Sequence, residues 1–216
     1  MNNERLAHVR ANLRRRGLSQ MLLVDPLSIW WLCGYYTEPY ERFLALYVPC
    51  DETKEPVMFS NRLFPEVGDA CADVRTFDDT EDPIALVRDV TDHAAALGVD
   101  KKLAARWLVP LMEAGAATGL TLASDAIDDA RSIKDAREQE LMRAASIVND
   151  QAMDWLVAQI RPGVTERQIA DGLLGEYRRL GAQDHSFSPI ASFGDHGADP
   201  HHEPDDTPFV PGDVVL

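Results

Sequence analysis

The sequence predicts an α/β fold: a mixed sheet with flanking helices, followed by a more helical second domain. Three observations carry this. Short apolar runs of strand length, MLLVD (21–25), FLALYVPC (43–50) and PVMFS (56–60), alternate with helical patterns in the first half, and such alternation favours helices packed on a mixed sheet. Near residue 124 the character changes and the longest helical pattern of the chain begins. At 216 residues, 45% of them hydrophobic, the chain has length for one large or two small domains and enough apolar surface for packed cores.

Taken in order, Leu6, Val9 and Leu13 share one face of a helix over 4–16. Arg14, Arg15 and Arg16 stand near its end, where cations suit the helix dipole, and Gly17 stops it. MLLVD reads as a buried strand broken by Asp25-Pro26, and SIWWLCG as a short helix ending at Gly34. Strands at 43–50 and 56–60 flank a polar turn at 51–54; residues 61–68 read as helical and ADVRTFD (72–78) as a strand. Asp82 suits an N-cap and Pro83 the first position of a helix running through about Leu97. A weak strand at 102–105, a helix at 107–115 and a strand at 120–123 complete the first domain.

In the second half Leu141, Ala145, Val148, Ala152, Trp155, Leu156 and Ile160 recur at the three- and four-residue steps of one helix face, and Pro162-Gly163 ends the pattern. Thr165 with Gln168 has capping-box spacing and starts a helix to Gly181 that turns Ile169, Leu173, Leu174 and Tyr177 inward. FSPIASF (187–193) reads as a strand, and Val214-Val215-Leu216 as the start of another. A strand that finishes a domain fades into polar residues; this one does not, so the chain reads as cut short. Domains are expected at 1–127 and 128–216, the second incomplete and prone to pair its open strands with another copy or to aggregate.

Composition excludes several classes. A net charge of −15 and a pI near 4.7 repel phosphate backbones, so nucleic acid is not an expected partner. No apolar stretch approaches the ~20 residues that span a bilayer, and the charged, amphipathic N-terminus has no apolar signal core. Cys33, Cys50 and Cys71 lie far apart with no C-x-x-C spacing, which argues against a disulfide framework and a zinc site. Cytoplasmic residence is the plain expectation. There is no G-x-S-x-G, no phosphate-binding glycine loop and no H-E-x-x-H.

The residues that could act concentrate in SFSPIASFGDHGADPHHEPDDTPFVPGDVVL, 186–216. Pro200 fixes the backbone before His201, which helps aim an imidazole that can donate or accept a proton near neutral pH. A loop histidine without a motif is more often a plain surface residue. His196, Asp195 and Asp199 make a cluster that could attract a metal, since His and carboxylates are ordinary ligands. Their spacing matches no closed site, however, and Gly194, Gly197 and Pro200 mark a loop, so no metal ligand is assigned there. His202 reads as a loop residue, His185 as structural, and His8 and His93 as helix residues without signal.

Ser186, Phe187, Ile190, Gly194, Pro200, His201, Pro204, Gly212, Asp213, Val215 and Leu216 match the pattern SFxxIxxxGxxxxxPHxxPxxxxxxxGDxVL. On these residues the chain resembles the creatinase/prolidase/aminopeptidase P family of pita-bread metallopeptidases. SIWWLCGYY and FLALYVP are similar to its creatinase-type N-terminal domain. RSIKDAREQELMRAASIVNDQAM and IRPGVTERQIADGL are similar to the linker and first two helices of its catalytic domain.

The resemblance implies an Xaa-Pro dipeptidase-like metallohydrolase. In the complete enzyme two divalent ions, Mn or Co, are held by two Asp, one His and two Glu, and they activate a bridging water. All five ligands would lie beyond Leu216, so this chain is expected to hold no metal and to be inactive alone. The implied partners are a small proline-containing peptide as substrate and a second copy in a homodimer. His201 is implied as the catalytic and substrate-binding residue, giving a hydrogen bond or proton to the intermediate. Arg42, in PYERFLAL, resembles the position from which such N-domains reach a partner subunit's active site, and could clamp a substrate carboxylate. Trp30, Trp31, Tyr35 and Tyr36 could line a pocket, though aromatic stripes are more often core or interface. The alternatives are a creatinase-like amidinohydrolase and a non-catalytic scaffold of the same fold.

Overall fold

In the computed structural model, which describes residues 1–216, a six-stranded sheet organises the first of two units, Met1–Ile133; the second is Lys134–Leu216. The strands are β1 (Gln20–Leu23), β2 (Ala45–Pro49), β3 (Val57–Asn61), β4 (Asp73–Phe77), β5 (Leu97–Val99) and β6 (Leu120–Leu122), in the order β4-β3-β2-β1-β5-β6. β1, β2 and β3 pair antiparallel, while β4 joins β3, β5 joins β1 and β6 joins β5 in parallel.

The period-2 alternation of strands splits the apolar residues between two cores. Met21, Leu23, Leu46, Val48 and Met58 face α1 (Asn3–Arg15), α2 (Pro26–Cys33) and α5 (Ser124–Ser132), meeting Leu6, Val9, Leu13, Ile29, Leu32 and Ile127. Leu22, Ala45, Tyr47, Val57 and Phe59 point the other way, toward Ile84 and Val87 of α3 (Pro83–Arg88) and Leu111 of α4 (Ala105–Glu113). Both faces are covered, which is why these strands read as continuous apolar runs. The expected mixed sheet with flanking helices is what the unit contains. Its three cysteines are free, and burial pushes each thiol's pKa up.

Four local expectations need correction. Residues 61–68 are a turn, not a helix: the Asn61 side chain accepts from the Leu63 N–H at 2.9 Å, and a single 3₁₀ turn follows at Gly68–Ala70. The helix opened by Asp82 and Pro83 stops at Arg88. Two devices stop it: the Asp92 carboxylate accepts from Ala94 N–H at 2.9 Å, an Asx-turn, and the buried Gln20 amide binds the Asp92 N–H and C=O, both at 2.8 Å. The strand then comes at Leu97–Val99, and 102–105 lead into α4 instead. The domain boundary falls after Ile133, not after 127. α5 belongs to the first core because Asn12 donates to the Ala126 carbonyl at 2.8 Å and Ile127 is buried with α1.

The second unit is built on α6 (Ala136–Gln159) and α7 (Glu166–Arg179). Both start with a capping box, Asp135 with Glu138 and Thr165 with Gln168, the latter as its spacing predicts. The α6 stripe is only partly buried: Ala152 is enclosed, Val148, Trp155, Leu156 and Ile160 are half-buried, and Leu141 and Ala145 are exposed. FSPIASF is not a strand, although Phe193 bridges Val215.

The two helices meet where Gly172 faces the Trp155 indole, which would lie 2.6 Å from a Cβ at that position. Gly172→Ala therefore sets a helix-propensity gain of about 1 kcal/mol against an overpacking cost of about 1–3 kcal/mol. The expected outcome is a net loss of about 1 kcal/mol with a perturbed Trp155 emission spectrum, measured by urea unfolding followed by fluorescence. Unchanged stability and spectrum would show that the indole is not seated on this glycine.

Candidate functional site at the Pro-His turn

The site is a loop closed at both ends by backbone pairing. At one end Ser192 and Leu216 exchange N–H···O bonds of 2.9 and 3.0 Å, and Gly194 N–H donates to Val214 C=O at 2.9 Å. At the other end Phe209 N–H donates to Val164 C=O at 2.8 Å, Gly163 N–H to Phe209 C=O at 3.1 Å and Glu166 N–H to Thr207 C=O at 3.2 Å. A small core underlies it: Val164, Ile169, Ala191 and Phe193 are buried together, and Phe193 meets Phe209 edge-to-face at 5.5 Å. The motif residues have local causes. Gly194 has φ +55° and its open side faces the Asp213 carboxylate, which a Cβ would approach to 3.2 Å. Asp213 closes the turn from Val210, accepting that residue's N–H at 2.8 Å.

Between these ladders lies the turn Asp199-Pro200-His201-His202. His202 N–H donates to Asp199 C=O at 3.2 Å, and the Asp199 carboxylate accepts from His201 N–H at 2.9 Å. Asp at the first position and Pro at the second are what a β-turn of this kind favours. His201 sits at the exposed corner, and no side chain or carbonyl of the protein binds its imidazole.

His202 turns inward. Its Nε2 lies 2.7 Å from Glu166 Oε2, and His196 Nδ1 lies 3.0 Å from Glu166 Oε1. The two ring centroids lie 4.1 Å apart, the planes tilted by 36°. Glu166, the first residue of α7, is fully enclosed and also accepts the N–H groups of Phe193 (2.8 Å) and Asp205 (3.2 Å). Burial works to raise its carboxyl pKa. The Phe193 N–H, His202, the Asp205 N–H and His196 outweigh that and hold it below its ordinary value of 4.5.

Glu166, His196, His202 and Asp205 thus form a group of metal-ligating type, with one ligand atom from each within 4.8 Å of the others. The sequence reading set His196 and His202 aside and missed Glu166. No local spacing links residue 166 to a loop thirty to forty positions later, and only the fold brings them together. Each Glu166 oxygen already accepts one backbone N–H and one imidazole contact. The cluster also holds one His pair and two carboxylates, not the two Asp, one His and two Glu of a dinuclear centre. These residues therefore do not fit a two-metal site.

Arg42 lies in the first unit. Its guanidinium forks onto Asp79 at 2.8 and 3.0 Å and touches Glu41 at 2.6 Å, and Asn61 supports Asp79 at 2.9 Å. The fork that would hold a substrate carboxylate is occupied by an internal one. Of the aromatic group, Tyr35 is buried and donates to Pro65 C=O at 2.9 Å, Arg5 stacks over Trp31 at 4.7 Å, and the exposed Trp30 and Tyr36 meet edge-on at 6.5 Å.

The sequence matches the model of the creatinase/prolidase N-terminal domain over residues 5–133, more than half of the chain. The chain belongs to the creatinase/prolidase family. The second unit of this family member matches metallopeptidase family M24 over residues 140–216. It is 26% identical over 215 residues to an uncharacterised peptidase of Staphylococcus epidermidis, covering 98% of this chain and 60% of that protein. The dipeptidase PepE of Mycobacterium ulcerans is 28% identical with a TM-score of 0.86, over 99% of this chain and 58% of that one. A prolidase from Thermococcus sibiricus shares the fold at 22% identity and a TM-score of 0.89, over 100% of this chain and 60% of that one. The chain thus spans about 60% of the length of the relatives it matches. No helix is long and apolar enough to cross a membrane.

Proposed function

We propose that this creatinase/prolidase chain forms the N-terminal domain and the first segment of the catalytic domain of a metal-dependent Xaa-Pro dipeptidase, with His201 acting on the substrate. The observation that carries this reading is the Pro200-His201 turn. It presents an unpartnered imidazole from a loop fixed at both ends, in a chain whose two units match a prolidase N-terminal domain and a metallopeptidase domain.

An imidazole at the turn corner can give a hydrogen bond or a proton to an oxygen of the substrate as charge develops there. When bound, two divalent ions of the Mn or Co type would supply the activated water. Arg42 enters the same reading as a substrate contact only if a substrate carboxylate displaces Asp79. A homodimer and a cytoplasmic setting belong to this proposal as well, the latter supported by three unpaired cysteines.

A panel assay tests the reading. The full-length protein with Mn²⁺ should hydrolyse Ala-Pro well above Ala-Ala, lose that activity with a chelator, and leave creatine intact. Metal-independent hydrolysis of creatine would replace this reading with an amidinohydrolase. No turnover of any of the three would favour a scaffold.

A further inference from the structure

We propose that Glu166 is the positioning residue for His201: a buried carboxylate that fixes the Pro-His turn without touching the substrate. The proposal rests on the function reading above.

The four groups that converge on Glu166 belong to residues 193, 196, 202 and 205, two on each side of Pro200-His201. The loop is therefore tethered on both sides of the residue it presents. The tether next to His201 is His202, whose side chain is 16% exposed and points at Glu166. His201 and His202 are the last two residues of the Asp199–His202 turn. With His202 drawn in to Glu166, His201 is left at the exposed corner. The anchor is rigid because Glu166 is the first residue of α7, held by the Thr165–Gln168 capping box, and the helix N-terminus also favours a negative charge there.

A carboxylate is needed, not merely a polar side chain of that size. Both oxygens act as acceptors, and one donor on each side is a backbone N–H that cannot change role. A glutamine offers one oxygen and one NH₂. The NH₂ would face either Phe193 N–H or Asp205 N–H, leaving that buried donor unpaired. Glu166→Gln should thus free one half of the loop while keeping the volume of the side chain.

The test is a double-mutant cycle in the full-length protein, reading kcat and KM for Ala-Pro in wild type, H201A, E166Q and the double variant. E166Q alone should lower kcat by ~10–100-fold with little change in KM, the size expected when a reacting group is displaced by about 1 Å. If Glu166 acts through His201, E166Q should cost almost nothing further in the H201A background. An equal loss in both backgrounds overturns the positioning role while leaving the function reading intact. An H201A protein as active as wild type overturns the function reading and this proposal with it. Should E166Q fail to fold, His202→Ala takes its place in the cycle, since it removes one tether and no backbone contact. Titration of the 216-residue chain with Zn²⁺ or Mn²⁺ should show no stoichiometric binding that His196→Ala abolishes; such binding would make the cluster a metal site and overturn the hydrogen-bonded clamp.

Discussion

Replacing His201 by alanine in the full-length protein is expected to lower kcat for an Xaa-Pro dipeptide by ~10²–10⁴-fold, the range over which a positioned acid or base contributes. KM should move far less, because the group acts where charge develops and not on the bound ground state. The fold should not notice. His201 is exposed, its ring binds nothing in the protein, and the one bond it makes to the chain is from its backbone N–H to Asp199, which alanine keeps. An unchanged melting temperature beside a collapsed kcat is therefore the expected signature. Its neighbour gives the contrast. His202 contacts a fully buried carboxylate at 2.7 Å, so His202→Ala should lower the stability of the second unit as well as the rate.

The largest effect on stability is expected at Asp25. This carboxylate is 6% exposed and caps α2, accepting the Ser28 N–H at 3.0 Å and the Ser28 hydroxyl at 2.7 Å. It also receives Lys102 at 2.7 Å and Arg131 at 3.3 Å, so one side chain joins α2, the turn after β5 and α5. Asp25→Ala removes a cap, typically about 1 kcal/mol, and takes a carboxylate partner from Lys102 and from Arg131, which keeps Ser28 Oγ at 2.9 Å. Lys102 is 56% exposed and Arg131 32%. Their heads can return to water, so the loss stays below the ~3–5 kcal/mol of a fully buried broken pair. The expected total is about 2–3 kcal/mol, read by thermal or urea unfolding of the first unit's signal.

The same group sets a pH dependence. Burial works to raise the Asp25 pKa, but Lys102 and Ser28 outweigh it and hold it below 3.8. A carboxyl depressed in the folded state adds stability at pH above its unfolded value and loses it as pH falls through its folded value. The acid limb of the wild-type stability curve should therefore lie below the ordinary carboxylate range, and Asp25→Asn should flatten it. An identical acid limb in both proteins would mean that Asp25 is not the linked group.

What was legible in the sequence follows from how local each signal is. The strands β1 to β4, the helix pair α6–α7 and the Thr165–Gln168 capping box rest on patterns a few residues long, and the motif around Pro200-His201 rests on its match to the family pattern. All of these could be read directly. Two things could not. Helix ends set by remote partners were misjudged: the stop after Arg88 depends on Gln20, seventy-two positions from Asp92, and α5 joins the first core only because Asn12 reaches Ala126. The carboxylate hubs were also invisible. In the sequence Asp25 marks only the break after a strand and Glu166 carries no signal of its own, and their roles emerge only when the fold brings residues 102 and 131, or 193 to 205, against them. The histidines set aside as loop residues, His196 and His202, are the ones the structure draws against Glu166, half-buried, whereas the motif histidine stays exposed.

In the proposed enzyme the His201 imidazole touches the substrate. The most direct measurement is a structure of the full-length protein with a bound Xaa-Pro dipeptide analogue. A ring nitrogen of His201 should lie within hydrogen-bond reach, ~2.6–3.2 Å, of an oxygen at the scissile bond, with Glu166 still holding His196 and His202. An analogue bound in the metal centre with His201 facing solvent, out of reach of it, would contradict the account.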